Sequence, residues 1–176
     1  MTQRIVVTGS ECTGKTTLAA ELAASYQALL IPEMARVYAE ERLAEGFTLT
    51  ADDVAPIARR AIAAEDALLI GSPPRVFLDT DLLSTVVYAR HYYGACPAWI
   101  ETAARERMAA MYLLCAPDVP WIADSVRDQA DHREEVHALF QRVLMEFGAR
   151  MADVAGMGEA RTATAIAAVA TIVGAG

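Results

Sequence analysis

Gly9-Ser10-Glu11-Cys12-Thr13-Gly14-Lys15-Thr16 sets two glycines, an ammonium and a hydroxyl at the spacing G-x-x-x-x-G-K-[ST]. Glycines at these places let backbone N–H groups turn inward around a phosphate. A helix starting near Lys15 points its positive N-terminal end at the same anion. In this pattern Lys15 reaches the β- and γ-phosphates of ATP, and Thr16 places its hydroxyl on Mg²⁺. Gly9, Glu11, Cys12, Thr13, Gly14 and Thr17 complete the expected nucleotide cradle. Lys15 is the only lysine among the 15 Lys and Arg residues of the chain. A compact point charge is not interchangeable with a planar fork, so its retention here points to a need for an ammonium. A chance match to the motif in a chain of this length is on the order of one in a hundred.

Other residues have types and places suited to phosphoryl transfer. Asp79 ends an apolar run, Val76-Phe77-Leu78, and is followed by Thr80 and Asp81. An Asp at that position after a phosphate loop organises a second magnesium contact; the competing reading is a helix N-cap. Asp81 either binds a substrate hydroxyl or caps the next helix. Glu33 follows a short strand and Arg36 lies one turn on, so the pair either holds an alcohol acceptor, with Glu33 as base, or forms a surface ion pair. Trp121 to Arg127, with Asp131-His132-Arg133 behind it, is short and polar. It is expected to be a lid over the phosphates with Arg127 and Arg133 facing the transferred group, or else a solvated loop. His91 and His137 read as ordinary helix residues, while Tyr92 and Tyr93 are candidates for an acceptor pocket.

These residues need a sheet with its strand ends gathered at one edge. Arg4–Thr8 is a strand leading into the loop, and Thr17–Tyr26 a helix with Leu18 and Leu22 inward. Ala28–Ile31 is a second strand, Glu33–Ala44 a helix, and Thr50 opens a capped helix running to about Ile70. A third strand, 75–79, precedes a helix with Leu82, Leu83, Val86 and Val87 buried, broken at Gly94–Pro97. Trp99 to about Ala109 is helical, and Met111–Cys115 is a fourth strand. A helix capped by Asp131 buries Val136, Leu139, Phe140, Val143, Leu144 and Phe147. Arg150–Val154 is a fifth strand, and the alanine-rich tail from Ala160 is a packed terminal helix. Strands alternating with helices signal a parallel sheet covered on both faces.

Composition narrows the classes. A length of 176 residues suits one domain, 1–176, with a core of its own. Net charge is −8, which argues against nucleic acid as a partner, since that needs a basic face. No apolar run reaches the roughly 18 residues of a membrane span, and no signal peptide is expected before the first strand. Cys12, Cys96 and Cys115 have no metal-ligand spacing and suit reduced thiols in a cytoplasmic protein. Cys12 is either a tolerated small loop residue or a thiol whose modification would block nucleotide.

The chain resembles the ribosylnicotinamide kinase domain of bacterial NadR-type proteins, within the P-loop nucleoside-kinase and AAA-like ATPase group. The resemblance rests on 9–18, Glu33-Met34-Ala35-Arg36-Val37-Tyr38, Leu78-Asp79-Thr80-Asp81, Pro120-Trp121-Ile122-Ala123-Asp124-Ser125-Val126-Arg127 and Arg133. It implies a three-layer α/β P-loop kinase fold: a five-stranded parallel sheet ordered 2-3-1-4-5, helices on both faces, and a short lid at about 121–133. It implies transfer of the γ-phosphoryl of ATP to the 5′-hydroxyl of nicotinamide riboside, giving nicotinamide mononucleotide in NAD salvage. Lys15, Thr16 and Asp79 would hold MgATP; Glu33, Arg36, Asp81, Tyr92 and Trp121 would line the nucleoside site; Arg127 and Arg133 would act from the lid. No adenylyltransferase part is expected, so the product would be the mononucleotide. Family members often carry an aromatic residue before the Glu of the second motif, and Pro32 stands there instead. Tyr38, Tyr92, Tyr93 or Trp121 are the candidates to flank a flat cationic ring. Another nucleoside or small-metabolite kinase, or an ATPase switch with a protein partner, are the competing readings. Whether Glu33, Asp79 or Asp81 is the base, ATP against GTP, and assembly as a homo-oligomer stay open.

Overall fold

The computed structural model describes residues 2–120 and 132–173. Twelve regular elements run in chain order among them: β1 (Gln3–Thr8), α1 (Lys15–Ser25), β2 (Leu29–Ile31), α2 (Met34–Ala44), α3 (Val54–Leu69), β3 (Arg75–Asp79), α4 (Leu82–Tyr93), α5 (Ala98–Glu106), β4 (Met111–Cys115), α6 (Arg133–Glu146), β5 (Met151–Val154) and α7 (Gly158–Val173). The strands form one parallel sheet ordered β2-β3-β1-β4-β5, as the resemblance implied.

Strand alternation explains the two faces. Val6, Val76, Leu78, Tyr112 and Leu114 point to one side, where they pack with α3, α4, α5 and α6. Ile5, Val7, Phe77, Met111, Leu113 and Cys115 point to the other, toward α1 and α7. A strand covered on both faces must be apolar at nearly every position, which is why 76–78 and 111–115 are unbroken apolar or amphipathic runs. The expected inward residues Leu18, Leu22, Leu82, Leu83, Val86 and Val87 are all buried. On α6, Val136, Phe140, Val143 and Leu144 are buried, with Leu139 and Phe147 packed against them.

The element ends shift slightly from expectation. Thr50 and Asp53 exchange side-chain and backbone bonds in a capping box, and a 3₁₀ turn at Ala51–Asp53 leads into α3. Helix α5 stops at Glu106, short of Ala109. There the Arg4 carbonyl accepts the Ala110 N–H and the Arg4 guanidinium donates to the Met108 carbonyl, drawing the segment straight into the sheet. Helix α6 starts at Arg133 with His132 at its N-cap position; the cap expected at Asp131 lies outside the described residues. Helix α2 has no buried residue, although it is 11 residues long. No helix among the described residues is long and apolar enough to cross a membrane.

Candidate active site

Register brings the chemistry together. Val7 of β1 pairs with Asp79 of β3, and Thr8 with Leu114 of β4. The loop 9–14 therefore leaves the centre of the sheet with the end of β3 on one side and the end of β4 on the other. Open parallel sheets bind ligands at this carboxyl edge. Gly9 has φ 137°, and a Cβ there would lie 2.8 Å from the Cys115 carbonyl oxygen, so only glycine fits. Gly14 is left-handed at φ 73° and stands as the N-cap of α1. Cys12 also has positive φ, 51°, and its side chain is buried, which shields the thiol considered above.

The loop is braced from inside. The Thr13 hydroxyl and the Lys15 ammonium both donate to the Ser10 carbonyl, each at 2.8 Å. Lys15 is only 4% exposed. Helix α1 has no acidic residue in its first turn, so nothing there opposes an anion at its positive end. Thr16 and Thr17 are exposed at the start of that helix.

The Thr16 hydroxyl donates to Asp79 Oδ2 at 2.6 Å. Asp79 is buried, and its other oxygen, Oδ1, has no hydrogen-bond partner among the described residues. A buried carboxylate oxygen left over beside a hydroxyl suits Mg²⁺, which takes one or two carboxylate or hydroxyl ligands and fills the rest with phosphate and water.

Beside the loop opens a cavity of about 450 Å³ between α2, α3 and α4. Its wall brings together Glu33, Arg36, Asp81 and Tyr92, the described residues among those expected at the acceptor, with Glu11 and Lys15 from the phosphate loop beside them. Glu33 is the N-cap residue of α2, without a side-chain cap bond. The Arg36 guanidinium pairs with Glu40 at 2.9 Å. Of the two readings offered for Asp81, the cap of α4 is the one formed, and the residue also lines the cavity. Its Oδ1 accepts the Leu83 N–H at 3.0 Å, and its Oδ2 accepts the Tyr112 hydroxyl at 2.7 Å. Burial pushes its carboxyl up to about 6, against the lowering effect of those two bonds, and the nearby Glu65 charge adds to the rise.

Aromatic rings come from places the pattern only partly indicated. Tyr92 and Tyr93 line the cavity, joined by Tyr88 and Phe47. Tyr38 is drawn away, its hydroxyl donating to Asp53 at 2.7 Å. Glu11, expected on the nucleotide side, faces the cavity and accepts from the Tyr92 hydroxyl at 3.4 Å. Arg133 donates to the carbonyls of Pro117 and Val119, and it stands close to Ser10, Glu11 and Tyr92. Trp121, Arg127 and nearly all of the proposed lid lie outside the described residues.

Two site residues escaped the sequence reading. Glu65, in α3, lines the cavity and is buried between Arg4 and Arg107, at 2.5 Å and 3.2 Å. Arg161, from α7, reaches the Thr13 carbonyl at 2.6 Å. The one signal for Arg161 was its interruption of an alanine-rich tail.

No curated protein sequence matches the chain significantly. Two solved structures of NadR protein, one in complex with NR and one with NAD and AMP-PNP, are 29% identical to it, with TM-scores of 0.76 and 0.79. Each alignment covers 99% of this chain and 50% of that one, so the chain spans half the length of those relatives. Thymidylate kinase from Ehrlichia chaffeensis is 14% identical with a TM-score of 0.66, covering 97% of this chain and 98% of that one. Deoxyadenosine kinase from M. mycoides with bound dATP is 11% identical with a TM-score of 0.63, covering 95% and 98%. These last two share the fold. Residues 4–161 match the family described as AAA domain, and the chain belongs to that family, with a NadR-like P-loop kinase fold.

Proposed function

We propose that the protein transfers the γ-phosphoryl group of ATP to the 5′-hydroxyl of a nucleoside, with nicotinamide riboside as the acceptor. The observation that carries this is the cavity beside Lys15, which is of small-molecule size and lined by both carboxylates and aromatic rings. A nucleotide-driven switch has no need of such a pocket next to the phosphates. The NadR structure bound to NR adds weight to the choice of acceptor, and the one bound to AMP-PNP to the choice of donor.

In this reading the loop N–H groups and Lys15 hold the β- and γ-phosphates. Thr16 and Asp79 would hold Mg²⁺, which offsets negative charge on the β,γ-oxygens when bound. Glu33 is the best-placed base. Asp81 has both oxygens occupied by Leu83 and Tyr112, and Asp79 is committed to Thr16. Glu33 sits at the cavity wall, where it would accept the proton of the attacking hydroxyl. Tyr88, Tyr92, Tyr93 and Phe47 supply the flat apolar surface that Pro32 does not, and a pyridinium ring would gain from their faces. Arg133 would act over the phosphates from the start of α6.

The test is ADP release from MgATP with a nucleoside panel that includes nicotinamide riboside, using Lys15→Ala as the control. Strong stimulation by nicotinamide riboside alone, absent in Lys15→Ala, is the expected result. Stimulation by a different nucleoside would keep the chemistry and replace the acceptor. Slow hydrolysis indifferent to every nucleoside would overturn the kinase reading in favour of a switch.

A further inference from the structure

Arg161 lies at the start of α7, is 5% exposed, and joins three loops at the carboxyl edge of the sheet. Its Nη2 donates to the Thr13 carbonyl at 2.6 Å and to the Ala116 carbonyl at 3.3 Å. Its Nη1 donates to the Gly156 carbonyl at 2.8 Å and to Asp118 Oδ1 at 2.9 Å. Asp118 closes the set by accepting the Gly156 N–H at 2.6 Å. The segments that follow β1, β4 and β5 thus meet on one guanidinium.

We infer that Arg161 is a positioning residue for the phosphate loop, setting the direction of the loop's N–H groups through a carbonyl and thereby its affinity for nucleotide. A trans peptide is planar, with its C=O and N–H pointing to opposite sides. Holding the Thr13 carbonyl toward Arg161 turns the Gly14 N–H away from it, toward the phosphate cradle. The same logic applies one turn earlier, where Thr13 and Lys15 hold the Ser10 carbonyl and so aim the Glu11 N–H. Anion binding by such a loop depends on N–H groups that converge before the ligand arrives. Only a fork with several donors can grip carbonyls on three loops at once; a lysine has donors at a single point.

The inference rests only on the nucleotide-binding part of the function proposed above. Its test needs no acceptor: AMP-PNP affinity by titration calorimetry in the presence of Mg²⁺, with nucleotide-free Tm measured beside it. The proteins compared are wild type, Arg161→Lys, Arg161→Met and Asp118→Asn. Arg161→Lys should remain folded and bind AMP-PNP about tenfold more weakly, the effect of losing one charge-assisted hydrogen bond. Asp118→Asn, which frees only the far side of the fork, should move affinity the same way by a smaller factor. If Arg161→Met fails to fold, the other two variants still decide. A lowered Tm with wild-type affinity in both would make Arg161 a structural staple and overturn the inference. A wild type that does not bind AMP-PNP would sink the nucleotide reading itself; a wild type that binds, with variants that bind equally well, would sink this inference alone.

Discussion

The Thr16 hydroxyl and Asp79 carboxylate, 63 residues apart in sequence, meet at 2.6 Å at the edge of the sheet. The contact follows from register, since β1 and β3 run side by side and deliver the two groups to one point. It uses one oxygen of Asp79 and leaves the other buried without a partner among the described residues. Asp79→Asn should therefore lower phosphoryl transfer by roughly 10²–10³-fold and raise the Mg²⁺ concentration needed for half-maximal rate. Measuring rate against Mg²⁺ checks both. A normal Mg²⁺ dependence in the variant would reduce Asp79 to a partner that fixes the Thr16 hydroxyl.

Glu33 is tested by its isostere. Glu33→Gln keeps the shape of the cavity wall and removes the proton acceptor, so kcat should fall by roughly 10²–10⁴-fold. Steady-state kinetics with the stimulating nucleoside separates the roles. A raised KM with an unchanged kcat would make Glu33 a binding residue only.

Asp81 gives the fold a pH signature. Its carboxyl is pushed up from 3.8 to about 6 by burial. Between those values the folded protein keeps a proton that the unfolded chain has released. The Asp81 contribution to stability therefore falls as pH rises through that window, and the penalty is complete above it. Asp81→Asn should remove this slope, so that the stability difference between variant and wild type changes by on the order of 2–3 kcal/mol between pH 4 and pH 7. Urea unfolding at several pH values reads it directly, and a parallel pH profile in the two proteins would contradict the assigned burial.

Glu65 is the anchor of the cavity floor. Its side chain is 7% exposed and pairs with Arg4 and Arg107. Glu65→Gln takes the charged partner from Arg4, while Arg107 keeps Asp66 at 2.5 Å, and should cost roughly 1–3 kcal/mol of stability. The urea midpoint should drop without a change in slope; an unchanged midpoint would mean that solvent replaces the pair.

Most of what was local in the chain was legible. The phosphate loop is contiguous, and its glycines, lysine and threonine are fixed by the backbone they must form. Strand and helix periods placed nearly every element, because both sheet faces demand apolar residues. The place of Glu33, Arg36, Asp81 and Tyr92 on the cavity wall was legible because each follows a strand end or lies on a helix running from one. What escaped depends on contacts made across the fold. Arg161 meets Thr13 over 148 residues of separation, and nothing in the alanine-rich tail indicates that partner. Tyr112 looked like one more apolar strand residue, yet its hydroxyl reaches back to Asp81. Glu65 is one more helix charge in the sequence, and its partners Arg4 and Arg107 come from other elements. Tyr88 and Phe47 lacked any pattern that separates a pocket ring from a core or surface one.

Helix α2 forms one wall of the acceptor cavity yet places none of its residues in the core. Little apolar burial must be given up for it to unravel, so its opening free energy belongs at the low end of the molecule's range. Its amides should exchange with solvent well before those of β1, β3 and β4, whose residues are buried on both faces. Entry to the cavity is then decoupled from global unfolding. The wall should then open more often than the fold as a whole, against its ties from Tyr38 and Arg42 to Asp53, while the phosphate loop, rooted in the central strand, keeps its shape.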